Sequence, residues 1–296
     1  MILLTGASGF IGKHLLTSLA EKYGIDEVIA FTSSPIAGYN YLLHNNYQFD
    51  DDYFVQTDFG HRIDTIIHAG SYTPKNAAEA NDWRRCTQNI YNTQKLLEAR
   101  LPNLKKFIYL STLDVYGEND IISEASLIEP VSQYGYSKLY SERLIATWAC
   151  QQNIASQILR LGHVYGPGEE AYQKIIPATI SKIKNDQPIQ IWGTGLELRS
   201  FIYIKDVVLA ILNCLNLTEN VGPVNIVGGT QITISKLVNK LIAISGKTLD
   251  IEFVNTTGKS RNLVFDNNKL KQYLLPLETD LDVGLSEEWL YMKGME

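Results

Sequence analysis

Two stretches of the chain place a tyrosine four residues ahead of a lysine, Tyr91–Lys95 and Tyr134–Lys138. On a helix this spacing sets a phenol and an ammonium one turn apart on one face. The cation stabilises phenolate and draws the phenol down from about 10, so that it can exchange a proton with an alcohol or a carbonyl. Spacing alone does not separate the two pairs, but chain order does. Tyr134 follows an apolar run, Lys106 to Leu110, that ends in the hydroxyl pair Ser111-Thr112. Ligands of open parallel sheets bind at the C-terminal ends of such strands. Tyr91 sits on the preceding helix and is read as structural. His68, inside another apolar run, is read as a packed strand residue rather than a base.

A chemical pair of this kind needs elements that hold it beside a cofactor, and the first dozen residues supply one. Ile2 to Leu4 reads as a buried strand, breaks into Thr5-Gly6-x-x-Gly9-Phe10-Ile11-Gly12, and passes into an apolar-periodic helix through Leu15, Leu16 and Leu19. Strand, glycine turn and helix form a phosphate cradle: Gly6 makes the turn, Gly9 lets the main chain approach a pyrophosphate, and Gly12 lets the helix pack closely. The next strand, Val28 to Thr32, ends in Thr32-Ser33-Ser34 without the Asp or Glu that would select NAD through the ribose 2′-hydroxyl. The serines could accept a 2′-phosphate although no Arg stands beside them, so NADP(H) is favoured and NAD(H) left open.

Further strands are expected at Tyr53 to Gln56, Thr65 to His68, Lys106 to Leu110 and Gln157 to Leu161, with helices at Ala77 to Arg100 and Ser132 to Gln152. Tyr39 to Asp52 shows no clear period, and Asp50-Asp51-Asp52 at its end reads as a solvated loop. The alternation predicts an α/β fold, a Rossmann-type doubly wound parallel sheet with a smaller C-terminal substrate lobe. The expected division is residues 1–165 for the nucleotide-binding domain and 166–296 mainly for the lobe, partly interleaved. That lobe is read as helix Lys174 to Lys184, strands Ile189 to Trp192, Phe201 to Tyr203 and Pro223 to Val227, helix Lys205 to Leu215, and a helix capped near Thr233.

Net charge is −6 over 296 residues, which argues against nucleic acid or an anionic membrane as partner. No stretch approaches the roughly 20 apolar residues of a membrane helix. Cys86, Cys150 and Cys214 are odd in number and lack metal-ligand spacing, so free thiols in a reducing cytosol are expected.

Four motifs in order carry a resemblance: Thr5-Gly6-x-x-Gly9-x-x-Gly12, Ser111-Thr112-x-x-Val115-Tyr116-Gly117, Tyr134-x-x-x-Lys138 and Arg160-x-x-His163-x-Tyr165-Gly166-Pro167. Together they resemble the extended short-chain dehydrogenase/reductase family of nucleotide-sugar epimerases, dehydratases and reductases. The resemblance implies that Thr112 hydrogen-bonds the substrate oxygen and that Tyr134 donates or accepts the proton. It gives Lys138 the nicotinamide ribose and the lowering of the Tyr134 pKa. It assigns Asp58, with Phe59, to the adenine side, and Ala69, Gly70, Ser71 and Asn89 to the cofactor, although Asn92 replaces a Gly of that last motif. Arg199 takes the place of an Arg that pairs with the nucleotide diphosphate, in keeping with the bidentate fork that guanidinium offers phosphate. Arg261 is a second candidate for diphosphate or sugar. His163 stands where the family usually has Asn. Tyr72, Thr73 and Asp114 are expected near the sugar.

Within the family, Leu113 after Thr112 disfavours a 4,6-dehydratase, which often carries an Asp-Glu pair there, and a 3,5-epimerase-reductase, which carries Cys. Two chemistries at C4 are left. An NADPH-dependent 4-ketoreductase acting on an NDP-4-keto-6-deoxyhexose is favoured, because the strand Val28 to Thr32 ends without the acid that selects NAD, the chain is short, and the Arg160–Gly168 run is similar to CDP-abequose synthase-type reductases. The alternative is an NDP-sugar 4-epimerase with tightly bound NAD. A cofactor-sensing protein without catalysis is a third reading, disfavoured because Thr112, Tyr134 and Lys138 are all present. Family analogy adds a homodimer through the helices in residues 77–100 and 132–152.

Overall fold

The computed structural model describes residues 1–117, 121–172, 174–255 and 262–295. The chain begins with β1 (Ile2–Thr5), α1 (Phe10–Tyr23), β2 (Val28–Thr32), β3 (Asn40–Leu43), β4 (Thr65–His68), α2 (Trp83–Glu98), β5 (Lys106–Thr112), α3 (Gln133–Gln152) and β6 (Ala155–Leu161). It continues through β7 (His163–Tyr165), α4 (Ile175–Lys184), β8 (Ile189–Trp192), β9 (Leu198–Tyr203), α5 (Ile204–Cys214), β10 (Val224–Ile226), β11 (Gln231–Thr233), α6 (Ile234–Ser245), β12 (Ile251–Val254), α7 (Asn268–Tyr273) and α8 (Leu281–Lys293).

The large sheet runs β10-β6-β5-β4-β1-β2-β3, and the pairings from β6 to β3 are parallel. Strand addition reverses between β1 and β4, the switch point at which doubly wound sheets take a dinucleotide beyond their strand C-termini. β1, β2 and β4 are buried along their whole length, as strands covered on both faces must be.

Two sequence expectations change here. Tyr53 to Gln56 is no strand: Tyr53 N–H donates to Asp50 O at 2.9 Å, Gln56 N–H to Asp52 O at 3.2 Å and Thr57 N–H to Phe54 O at 2.9 Å. These local bonds let Phe49, Tyr53 and Phe54 bring their rings within 5.4, 6.1 and 5.2 Å of Phe31, filling the core on one side of the sheet. The third strand lies earlier, at β3, inside the stretch without a clear period. β3 is the outer strand, and its half-buried, half-exposed alternation gives little apolar signal.

Two compact units result. One comprises Met1–Glu118, Leu127–Leu161 and Val208–Asn225; the other comprises Asn119–Ser126, Gly162–Val207 and Ile226–Glu296. The chain therefore crosses between units more often than a single boundary near residue 165 allows. In the second unit β9 pairs antiparallel with β11 and parallel with β7, while β8 pairs parallel with β12. Among the described residues no helix is long and apolar enough to cross a membrane.

Candidate active site

The glycine turn at the end of β1 is built by close approach. Gly6 adopts φ 69°, and a Cβ there would stand 2.6 Å from the Gly70 nitrogen; at Gly12 it would stand 1.9 Å from the Gly6 oxygen. Gly12 thus presses α1 onto the turn itself. Gly9 caps α1, its N–H donating to Gly6 O at 3.0 Å; no side chain caps the helix, and its first turn, Phe10 to Gly12, has no acidic residue. The cradle fits a pyrophosphate: there is no Cβ in the way and no anion competing with the helix dipole. Thr5 fastens the neighbouring strand end, its Oγ1 accepting from Gly70 N–H at 2.8 Å and lying 2.8 Å from His68 Nδ1. His68 is fully buried, also touches Thr93 at 3.2 Å, and has its pKa pushed down to about 3, chiefly by burial. It is a neutral packing residue.

At the end of β2, Thr32 Oγ1 donates to Ser34 O at 3.1 Å, and Ser33 and Ser34 are exposed. No Lys or Arg occurs between Lys22 and Arg62, so this stretch offers no cation to a 2′-phosphate. Asp58 is exposed on the turn before β4, and Phe59 packs partly against the aromatic core.

The pair Tyr134 and Lys138 sits on α3. Ser132 caps the helix by accepting from Gly135 N–H at 3.1 Å. Gly135 lets α3 lie against the turn after β5, since a Cβ there would be 2.2 Å from Asp114 O. That contact brings Tyr134, 6 % exposed, to Thr112, 8 % exposed. Thr112 accepts from Asp114 N–H at 3.2 Å, and its hydroxyl lies 3.3 Å from the Asp114 carboxylate. Lys138 is buried; its Nζ donates to Ser71 Oγ at 2.8 Å and to Leu110 O at 2.6 Å, and stands 4.3 Å from the centre of the Tyr109 ring. Burial brings its pKa down to about 7, with Glu142 opposing.

Here the expectation for Tyr134 needs correction. Its pKa lies above the ordinary phenol value, because burial and the Asp114 carboxylate outweigh the hydroxyls of Thr73 and Thr112. Lys138 directs its protons at Ser71 and Leu110 instead, so the one-turn spacing does not by itself make a phenolate. Asp114 is raised as well, mainly through desolvation, although one side of it is open to water.

The segment after β4 is held by Asn89, whose amide accepts from Tyr72 N–H at 2.7 Å and donates to Tyr72 O at 3.1 Å. Asn89 therefore holds the 71–73 strap. Tyr72 donates its hydroxyl to Glu79 at 3.2 Å under Arg85, while Thr73 faces Tyr134. The other tyrosine–lysine pair is on the surface: Tyr91 is 41 % exposed, and Lys95 pairs with Glu98 at 3.1 Å and Asp51 at 3.4 Å.

In the second unit, His163 on β7 packs its ring 5.9 Å from Phe201 and 6.2 Å from Phe265, and its Nδ1 is buried with no hydrogen-bond partner among the described residues. Burial, then Lys174 and Arg199, bring its pKa down to about 4. Arg199 on β9 is half-buried and donates to Leu198 O at 2.9 Å. Arg261 lies outside the described residues. Sequence reading missed Glu142 and its bond to Ser111; its spacing, one turn past Lys138, was the available signal.

A Rossmann-like sheet with a glycine cradle at its switch point and a Thr, Tyr and Lys set at the next strand ends defines a nicotinamide-dependent enzyme fold. A family model, the NAD dependent epimerase/dehydratase family, matches residues 2–227, and the chain belongs to that family. An uncharacterized UDP-glucose epimerase of Bacillus subtilis is 31 % identical over 99 % of this chain and 98 % of its own. A dTDP-D-glucose 4,6-dehydratase of Dictyostelium discoideum is also 31 % identical, over 82 % of this chain and 62 % of its own. Among solved structures, the UDP-glucuronic acid 4-epimerase of Bacillus cereus in complex with NAD superposes with a TM-score of 0.83 at 29 % identity, covering 99 % of this chain and 98 % of that one. A UDP-glucose 4-epimerase of Thermotoga maritima with UDP-glucose gives 0.83 at 25 % identity, with the same coverage.

Proposed function

We propose that this chain is an NAD-dependent nucleotide-sugar 4-epimerase acting on a UDP-hexose, in place of the NADPH-dependent reductase that the end of β2 suggested. The observation that carries it is the Thr112, Tyr134 and Lys138 set beside a cradle with no cation for a 2′-phosphate anywhere from Tyr23 to His61. The likeness to NAD- and UDP-sugar-bound 4-epimerases over nearly the whole chain supports the same reading. Leu113 argues against dehydration, since it cannot donate a proton to a departing hydroxyl.

Tyr134 and Thr112 hold the C4 oxygen, and Tyr134 takes the hydroxyl proton and later returns it. Thr73 steadies the phenol, which burial, with Asp114 nearby, keeps protonated until NAD is bound. Bound NAD would supply the hydride acceptor and donor at C4, with pyridinium charge that favours the Tyr134 phenolate. Lys138, fixed by Ser71 and Leu110 O, would hold the nicotinamide ribose. Arg199 is assigned to the diphosphate, Arg261 to diphosphate or sugar, and His163 to the substrate side. The reading includes a homodimer, supported by exposed Trp83 on α2 and Tyr136 and Tyr140 on α3.

The test is to incubate purified protein with UDP-glucose, UDP-glucuronic acid or UDP-N-acetylglucosamine, without added nicotinamide. NMR should show the C4 epimer of one of them. Consumption of NADPH on a 4-keto-6-deoxy sugar, with no epimer formed from any hexose, would favour the reductase instead.

A further inference from the structure

Glu142 lies four residues past Lys138 and eight past Tyr134, so all three line one face of α3. It is 3 % exposed, as is Arg160 on β6. A carboxylate this deep needs a partner. Arg160 meets it as a fork: Nε donates to Oε1 at 3.0 Å and Nη2 to Oε2 at 2.7 Å. Ser111 Oγ donates to the same Oε1 at 2.5 Å. The remaining arm of the guanidinium, Nη1, donates to the Tyr116 hydroxyl at 2.7 Å, which donates in turn to Asn225 Oδ1 at 2.8 Å. One carboxylate therefore joins α3 to β6 and to the end of β5, and through Arg160 reaches the turn that follows.

Ser111 directly precedes Thr112, and pairing in the sheet sets Ser111 opposite Arg160. The clamp thus fixes the strand end that carries Thr112 against the helix that carries Tyr134 and Lys138. Its charge matters as well. Lys138 faces the neutral hydroxyl of Ser71, the carbonyl of Leu110 and the Tyr109 ring. Around it stand neutral His68 from β4, Tyr134 with Asp114 beyond it, and Glu142 with Arg160 on the next turn. Glu142 is the group that opposes the loss of the Lys138 proton.

We propose that Glu142 is a positioning residue of this site: clamped by Arg160, it seats the strand end of Thr112 against the face of α3 that carries Tyr134 and Lys138, and its charge balances Arg160 one turn from the Lys138 ammonium. The proposal rests on the reading of Thr112, Tyr134 and Lys138 as the reacting set.

The experiment is kcat/KM against pH for the native protein and for Glu142→Gln, Glu142→Asp and Ser111→Ala, with Tyr134→Phe alongside. In Glu142→Gln the Arg160 charge stays uncompensated, and the alkaline limb should move down by about one pH. Glu142→Asp keeps the charge, so its rate falls with the limb in place. Ser111→Ala removes only the tie to the Thr112 strand and should lower kcat several-fold with KM and limb unchanged. An even loss of rate in Glu142→Gln at every pH, with the limb unmoved, overturns the proposal. Should Glu142→Gln fail to fold, full kcat in Ser111→Ala overturns it. Native turnover in Tyr134→Phe would instead bring down the reading of the site itself.

Discussion

The two Tyr-x-x-x-Lys pairs have identical spacing on adjacent helices and opposite circumstances. On α3, Tyr134 and Lys138 are almost wholly buried, and every contact described for the lysine is neutral: a hydroxyl, a carbonyl and a ring. On α2, Tyr91 faces water and Lys95 is met by two exposed carboxylates. Burial pulls Lys138 down to about 7, whereas the Glu98 and Asp51 contacts hold Lys95 above its ordinary value. The difference shows that the helical repeat only offers proximity. What sets the α3 pair apart is the strand end and glycine contact that press α3 onto the Asp114 turn.

Replacing each pair breaks the comparison in measurable ways. Tyr134→Phe should cost about 10²–10⁴ in kcat with binding of the nucleotide sugar retained, as expected for a lost proton-transfer group; steady-state kinetics beside calorimetric binding checks it. Lys138→Met should also disable turnover, yet stabilise the fold near pH 7 by about 1–3 kcal/mol, because it removes a buried ammonium. The sign follows from the depressed value: the folded chain binds fewer protons than the unfolded one between about 7 and the ordinary 10.5, so stability rises with pH across that window. Denaturant melts from pH 6 to 10 should show this slope in the native protein and not in Lys138→Met. Lys95→Ala and Tyr91→Phe should each stay within about 1 kcal/mol in stability and twofold in kcat, as exposed pairs do.

Much of the site was legible because its signals are local. The glycine turn, the Ser111-Thr112 strand end and the Ser132-capped helix each sit within a few residues of sequence, and the structure forms them in place. The parts that were misread depend on distant partners. β3 exists because β2 accepts it as an edge, and Tyr53 to Gln56 turns because Phe31 gathers the aromatic rings around it. Asn89 could be placed on a helix from sequence, but its bonds to the Tyr72 main chain could not. Tyr134 illustrates the electrostatic version: spacing promised a lowered pKa, and desolvation with Asp114 reversed the direction. Glu169 and Glu288, both 1 % exposed, come together in the second unit from opposite ends of its sequence; burial raises both carboxyls above their ordinary range, and Glu169 raises Glu288 further. No periodicity announces such a meeting.

The central claim, that the hydride leaves and returns to the same C4 on a cofactor the protein holds, has a direct test in UDP-glucose deuterated at C4, or whichever UDP-hexose proves to be the substrate. Incubated with purified protein and no added nicotinamide, the account predicts a C4 epimer that keeps its deuterium at C4. Loss of the label when unlabelled NAD is added in a parallel incubation, or turnover only when NADPH is supplied, would contradict it.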